Sequence, residues 1–202
     1  MMGKKLVLAS NNEKKAAEMQ ALLEPLDIEI IPQSALQIPE ADEPFATFVE
    51  NALAKARHAA SHSGLPAVAD DSGLCVAALS GAPGVCSARY AGEPKSDQRN
   101  NLLLLENMAH LEGEDARRAY YYSVVVLVRS ADDPQPLIAD GEWHGSILTA
   151  PRGDNGFGYD PLFWIPSLEQ SVAELESRLK NTISHRGMAL RHLLERLEYY
   201  PL

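Results

Sequence analysis

The sequence predicts an α/β fold, and three observations carry that prediction. Short apolar runs alternate with amphipathic helical segments through the N-terminal third. A long aromatic and β-branched run, Tyr120-Tyr121-Tyr122-Ser123-Val124-Val125-Val126-Leu127-Val128, reads as extended strand. The chain has 202 residues and 46% hydrophobic content, enough for one α/β domain or two small lobes sharing a core.

Lys5 to Ala9 does not alternate, so it reads as a fully buried first strand. The polar turn Ser10-Asn11-Asn12 leads into Glu13 to Leu23, where Ala16, Met19, Leu22 and Leu23 share a helical face. A strand–turn–helix junction offers free N–H groups and a positive helix end, which suits an anion. Lys14 and Lys15 sit in the first turn against the dipole; a capped helix with solvated lysines accounts for the same residues. Ile28 to Ile31 is a second strand, stopped by Pro32, and Pro39 to Pro44 is an acidic loop containing Glu43. Thr47 to Ser63 reads as a helix with a small apolar face, Ala52, Ala56, Ala59 and Ala60, ended by Gly64. His58 and His62 lie four apart without the glutamate of a HExxH site and read as a surface pair.

Ala67 to Ala69 is expected to be a short strand that ends in Asp70-Asp71-Ser72-Gly73. Two adjacent carboxylates repel and are costly to desolvate, so a counter-charge is expected beside them. A hard cation such as Mg²⁺, which takes oxygen ligands and brings phosphate, answers that need; a solvated turn is the plain alternative. Leu74 to Leu79 reads as a further strand and Asp97 to Met108 as a helix capped by Ser96 or Asp97. Arg117 to Arg129 and its return through Leu137–Ala139 and Trp143–Leu148 read as long antiparallel strands. Gly153-Asp154-Asn155-Gly156-Phe157-Gly158-Tyr159-Asp160-Pro161 is either a hairpin loop or a flat slot for a planar ring. Val172 to Lys180 is expected to be a short helix. Ser184 should cap the last helix, which would run to about Tyr199 with His185 and Arg186 in its first turn.

A net charge of -10 disfavours nucleic acid as a partner. The two cysteines have no zinc-site spacing, although a disulfide between them stays open. No apolar run reaches membrane-spanning length, and the first residues are too short an apolar segment for a signal peptide. The expectation is a soluble, cytoplasmic protein without membrane or nucleic-acid partners.

Several motifs occur together and in order. They are Ser10-x-Asn12-x-x-Lys15-x-x-Glu18, Thr47-Phe48-x-Glu50-Asn51-Ala52-x-x-Lys55-Ala56, Ala69-Asp70-Asp71-Ser72-Gly73, and Gly81-x-Pro83-Gly84 with Ser87-Ala88-Arg89-Tyr90. Gly156-Phe157-Gly158-Tyr159-Asp160-Pro161, Lys180 and Ser184-His185-Arg186 follow. Their order and spacing resemble the Ham1 family of inosine triphosphate pyrophosphatases, in particular its bacterial XTP/dITP pyrophosphatases, over essentially the whole chain. The resemblance implies a long, mixed, twisted sheet with flanking helices, two lobes around a central cleft, one functional domain over residues 1–202, and a homodimer. It implies Mg²⁺-dependent hydrolysis of dITP, ITP or XTP to the monophosphate and pyrophosphate.

On that reading Asp71 is the general base or water-orienting group, and Glu43 with Asp71 forms the Mg²⁺ pair. Ser10 and Asn12, with nearby backbone N–H groups, hold phosphate oxygens, and Lys15, Lys55 and Lys180 add positive charge; Asn11, Glu13, Lys14 and Ser72 are further substrate-binding residues. Phe157 stacks on the base, Asp160 holds or shapes the loop, and His185 or Arg186 donates to a 6-carbonyl, although both could instead bind the phosphate chain or solvent; Gly158 and Tyr159 are further substrate-binding residues. One departure stands out: relatives often carry glycine where this chain has Asn11, and asparagine tolerates left-handed backbone better than most residues. Two rivals are a Maf-like pyrophosphatase of modified pyrimidine or methylated guanine nucleotides and a non-catalytic nucleotide sensor. The Ser-His-Arg and Gly-Phe-Gly-Tyr-Asp runs argue against the first, and the spare carboxylates argue against the second.

Overall fold

The computed structural model describes residues 4–197, 199–200 and 202, apart from the side chains of Lys14, Glu18 and Leu22. Its strands are β1 (Lys4–Leu8), β2 (Ile28–Pro32), β3 (Ala67–Val76), β4 (Arg118–Val128), β5 (Leu137–Ile147), β6 (Phe163–Ile165) and β7 (Gln170–Ser171). Its α-helices are α1 (Glu13–Leu23), α2 (Phe48–Ser63), α3 (Asp97–Asn107), α4 (Ser177–Ile183) and α5 (His185–Leu197). The strands form a seven-stranded sheet in the order β2-β1-β3-β4-β5-β6-β7. The β1 strand pairs in parallel with β2 and β3, whereas β6 pairs antiparallel with β5 and β7, so the sheet is mixed.

The chain divides into two compact units. The first comprises residues 1–71, 123–140 and 189–202. Here β1, α1 and β2 form a parallel crossover unit, which needs a helix because parallel neighbours cannot be joined by a tight turn. Its core holds Leu6 and Leu8 of β1, Met19 and Leu23 of α1, Val68, Val125 and Leu127 from the sheet, and Ala189, Leu190 and Leu193 of α5. The α2 helix packs against β1, and its buried Ala52, Ala56, Ala59 and Ala60 leave room for close approach. Thr47 caps it by accepting from the Glu50 N–H, and Gly64 closes it in left-handed conformation.

The second unit comprises residues 72–122 and 141–188. Its core is more aromatic: Tyr121, Trp143, Tyr159 and Phe163 pack with Leu74, Leu104, Met108 and Leu162. Buried Arg117 donates to the backbone carbonyls of Met108, Leu111, Ile147 and Leu148.

Three sequence expectations are corrected. The strand at Ala67 does not end at Asp70; β3 runs on to Val76, so the Asp-Asp-Ser-Gly stretch is strand and not turn. The sheet accepts it because successive side chains point to opposite faces, which separates the two carboxylates. The strand expected over Leu74–Leu79 stops at Val76, with a 3-10 turn over Ala77–Leu79. The helix expected over Val172–Lys180 is instead a 3-10 turn over Val172–Glu174, closed by the Ser171–Glu174 capping box, followed by α4. Both cysteines are free, Cys75 buried and Cys86 exposed.

Candidate active site

In the first unit, the β1–α1 junction is already knit together. Ser10 Oγ accepts from the Asn12 N–H at 3.1 Å, and Asn12 Oδ1 accepts from the Lys15 N–H at 3.2 Å, which makes Asn12 the cap of α1. Asn11 turns its amide away from this turn, donating to Glu40 at 2.8 Å and accepting from buried Gln33 at 3.2 Å. Positive φ outside glycine occurs, among the described residues, at Asp27, Gln37, Ser80 and Glu169; Asn11 does not use the left-handed tolerance expected of it. Glu13 is exposed at the head of α1, and the Lys14 side chain lies outside the described residues.

The two central aspartates are served by two different lysines. Buried Asp70 accepts from Lys15 Nζ with both oxygens, at 3.0 and 2.7 Å. Asp71 lies 3.4 Å from Lys55 Nζ, which also donates to Glu43 at 2.6 Å. Asn51, buried on α2, donates to Asp71 at 3.3 Å and holds both the N–H and the carbonyl of Phe45. Burial, aided by the nearby Glu43 charge, raises the Asp71 carboxyl above the ordinary aspartate range despite Lys55 and the Asn51 bond. Burial pulls the Lys55 ammonium down, but Asp71, Glu43 and Asp70 outweigh it and leave its pKa raised.

Glu43 and Asp71 therefore converge on one cationic centre with oxygen donors alone. That donor set fits Mg²⁺, which commonly takes one or two protein carboxylates and completes its octahedron with water and phosphate. His58 and His62 do not supply an alternative: their rings lie 4.2 Å apart and each bonds a backbone carbonyl.

In the second unit, Asp160 organises the glycine-rich loop. It accepts from the Phe157 N–H at 2.9 Å, from Lys180 Nζ, and from Tyr121 at 3.4 Å. Gly156 is required here: its φ is +82°, and a Cβ would sit 2.1 Å from an Asp160 oxygen. The Phe157 ring is 64% exposed with the Lys180 ammonium 4.6 Å from its centroid. The Tyr159 ring is buried, and its hydroxyl donates to the Ser87 carbonyl at 2.8 Å. Its phenol is pushed up by burial and by the neighbouring Tyr90 and Asp97.

Ser184 caps α5 by accepting from the Gly187 N–H at 3.2 Å. His185, half-buried, stacks on Tyr121 at 4.8 Å with an interplanar angle of 11°. Arg186 follows it in the first turn, also half-buried. A Cβ at Gly187 would come 2.1 Å from the Asn181 carbonyl oxygen, so the tight approach of α4 to α5 requires glycine there. Ser72 is half-buried at the start of the second unit's share of β3.

The contacts thus group the candidates into two clusters, each within one unit: Lys15 on Asp70 and Lys55 on Glu43 and Asp71 in the first, and Phe157, Asp160, Lys180 and, through Tyr121, His185 in the second, with Arg186 next to His185 in sequence. Sequence reasoning gave no site role to Asn51, quoted only within a motif, to Asp97, taken only as a helix cap, or to Gln33 and Tyr121. Asn51 carried a signal, since a lone amide on an alanine-lined buried face must find partners. Tyr121 carried none beyond its strand.

A mixed α/β chain with two such polar clusters belongs to the class of proteins its motifs resemble. It matches the Ham1 family over residues 6–196, and the chain belongs to that family. It is 73% identical, over the full length of both chains, to a dITP/XTP pyrophosphatase of Aromatoleum aromaticum. A HAM1 protein structure from Coxiella burnetii superposes with a TM-score of 0.93 at 49% identity, covering 97% of this chain and 99% of that one. The Staphylococcus aureus Ham1 protein superposes at 0.90 with 37% identity, covering 98% of this chain and 100% of that one.

Proposed function

We propose that this chain hydrolyses non-canonical purine nucleoside triphosphates, dITP, ITP and XTP, to the monophosphate and pyrophosphate, and so clears deaminated purines from the nucleotide pool. The observation that carries the reading is the convergence of Glu43 and Asp71 on Lys55 Nζ. It is supported by the 73% identity to a dITP/XTP pyrophosphatase.

Triphosphate recognition is assigned to the first cluster. Lys15 holds Asp70, and Lys55 holds both Glu43 and Asp71, each with an ammonium that an incoming phosphate can share, offsetting its charge. The N–H groups of the Ser10–Glu13 turn add donors at the positive end of α1. Asp71 orients or deprotonates the attacking water, with Asn51 fixing the carboxylate's rotation. Glu43 and Asp71 would hold Mg²⁺, which when bound supplies neutralisation of the phosphate charge.

Base recognition is assigned to the second cluster. Phe157 stacks on the ring, and Asp160 shapes the loop that carries it. His185 and Arg186 donate to the 6-carbonyl of hypoxanthine or xanthine; adenine would face them with an amino group, leaving donors unpaired at about 1–3 kcal/mol each. The active species is a homodimer, which light scattering would register as twice the chain mass. No described helix is long and apolar enough to cross a membrane, and the proposed setting is the cytoplasm.

The test is a pyrophosphate-release assay over ITP, dITP, XTP, GTP, ATP and dTTP. Turnover should favour the first three, vanish with EDTA and return with Mg²⁺. Preference for dTTP would replace this reading with the Maf-like one, and full activity in EDTA would remove Glu43 and Asp71 as metal ligands.

A further inference from the structure

Phe157 is an apolar ring exposed on a loop, yet its backbone is held on every side. Its N–H donates to Asp160 at 2.9 Å, and its carbonyl accepts from the Asp160 N–H at 3.2 Å. The next residue is held by α3: Asp97 accepts from the Gly158 N–H at 2.6 Å, and Asn101 Nδ2 donates to the Gly158 carbonyl at 2.9 Å. Asp97 and Asn101 lie four apart, so they share one face of the helix, and that face reaches both polar groups of a single glycine. The Asn101 orientation is fixed by chemistry, since the flipped amide would set two acceptors against each other. Gly158 has φ +60° and would tolerate no side chain without strain, although nothing crowds its Cβ position.

An exposed loop ordinarily moves. Four hydrogen bonds about two residues, with the exposed ring beside them backed on one face by the Lys180 ammonium, are the arrangement of a preorganised contact: ordering is done before the ligand arrives, so binding does not have to supply it. We propose that Asp97 and Asn101 are positioning residues that act through Gly158 to hold Phe157 ready for the purine. The inference rests on the assignment of Phe157 to the base and adds α3 to the parts that determine substrate affinity.

The experiment measures kcat and KM for ITP with the full chain, for Asp97→Ala, Asn101→Ala, Phe157→Ala and the two double variants containing Phe157→Ala. Loss of one such hydrogen bond should raise KM about three- to tenfold, with kcat within about twofold of wild type. In the Phe157→Ala background the same α3 substitutions should add less than about twofold, because the ring they position is gone. Asp97→Asn, which keeps an acceptor oxygen, should restore most of the affinity. Should Asp97→Ala fail to fold, Asn101→Ala and Asn101→Gln carry the test, the latter shifting the amide by one methylene and predicted to raise KM. An unchanged KM in the Asp97→Ala and Asn101→Ala variants, or effects that multiply fully in the Phe157→Ala background, would overturn the proposal. If Phe157→Ala itself leaves KM unchanged, the assignment of Phe157 to the base fails first and takes this inference with it.

Discussion

Asp71 sits where three influences meet: burial, the Glu43 charge and the Lys55 ammonium. The net direction is upward, so in Mg²⁺-free protein its carboxyl should take up a proton at higher pH than an ordinary aspartate as the solution is acidified. Bound Mg²⁺ favours the ionised form and should pull that titration down, releasing protons on addition. Carboxyl chemical shifts followed by NMR with and without Mg²⁺ would check both statements; a titration indifferent to the metal would remove Asp71 from its ligands. Asp71→Asn should cost about 100-fold or more in kcat while the protein still binds nucleotide, measured calorimetrically. At this scale the sequence was legible in part. The need for a counter-charge at Asp70 and Asp71 followed from two adjacent carboxylates, but the lysines that meet it come from residues far away in the chain. Asn11 was legible as a departure, and its engagement with Gln33 and Glu40 was not, because only the fold brings Gln33 to it.

The elements were read well where a period and a cap coincided. The α2 helix had Thr47 before it, alanines on one face and Gly64 after it. The misreading of β3 came from composition: Asp, Ser and Gly are ordinary turn residues, and the sheet outweighed their local preference with lysine partners on both faces. The region after Val172 failed for a related reason, since a capping box closed a single turn where a helix was expected. The start of α5 was read correctly, with Ser184 as its cap, and it carries the selectivity question. Arg186 in that first turn lies against the helix dipole, which an acceptor on the ligand would relieve. Arg186→Ala should reduce kcat/KM for ITP much more than for ATP. Equal losses for the two substrates would reassign Arg186 to the phosphate chain.

Across the whole molecule, the two units have cores of different character, one aliphatic and one rich in aromatic rings. The first unit is closed by Asp133, which accepts from the backbone and guanidinium of Arg129, from the Gln135 N–H and from Tyr200 near the C-terminus. The Arg129 side-chain hydrogen bond, joined by those from the Arg129 N–H, Tyr200 and the Gln135 N–H, outweighs burial and holds the Asp133 carboxyl far below the usual carboxylate range. A depressed folded pKa means that the stabilisation is complete above the unfolded value, about 4, and is lost as pH falls below it. Asp133→Asn should lower Tm by roughly 5–10 °C at neutral pH, with the gap to wild type narrowing below about pH 4. A gap independent of pH would mean that the carboxylate's charge is not what stabilises. The alternation of Asp70 and Asp71 along β3 also bears on how the first unit assembles. Lys15 arrives with α1 and Lys55 with α2, so the strand cannot leave water until both helices have docked, or two ionised carboxylates would be stranded. The centre of the sheet is then a late step in folding, a checkpoint that passes only chains with both faces in place. Removing Lys15 or Lys55 should accordingly speed unfolding much more than it slows folding, which stopped-flow measurements on Lys15→Met and Lys55→Met would read directly.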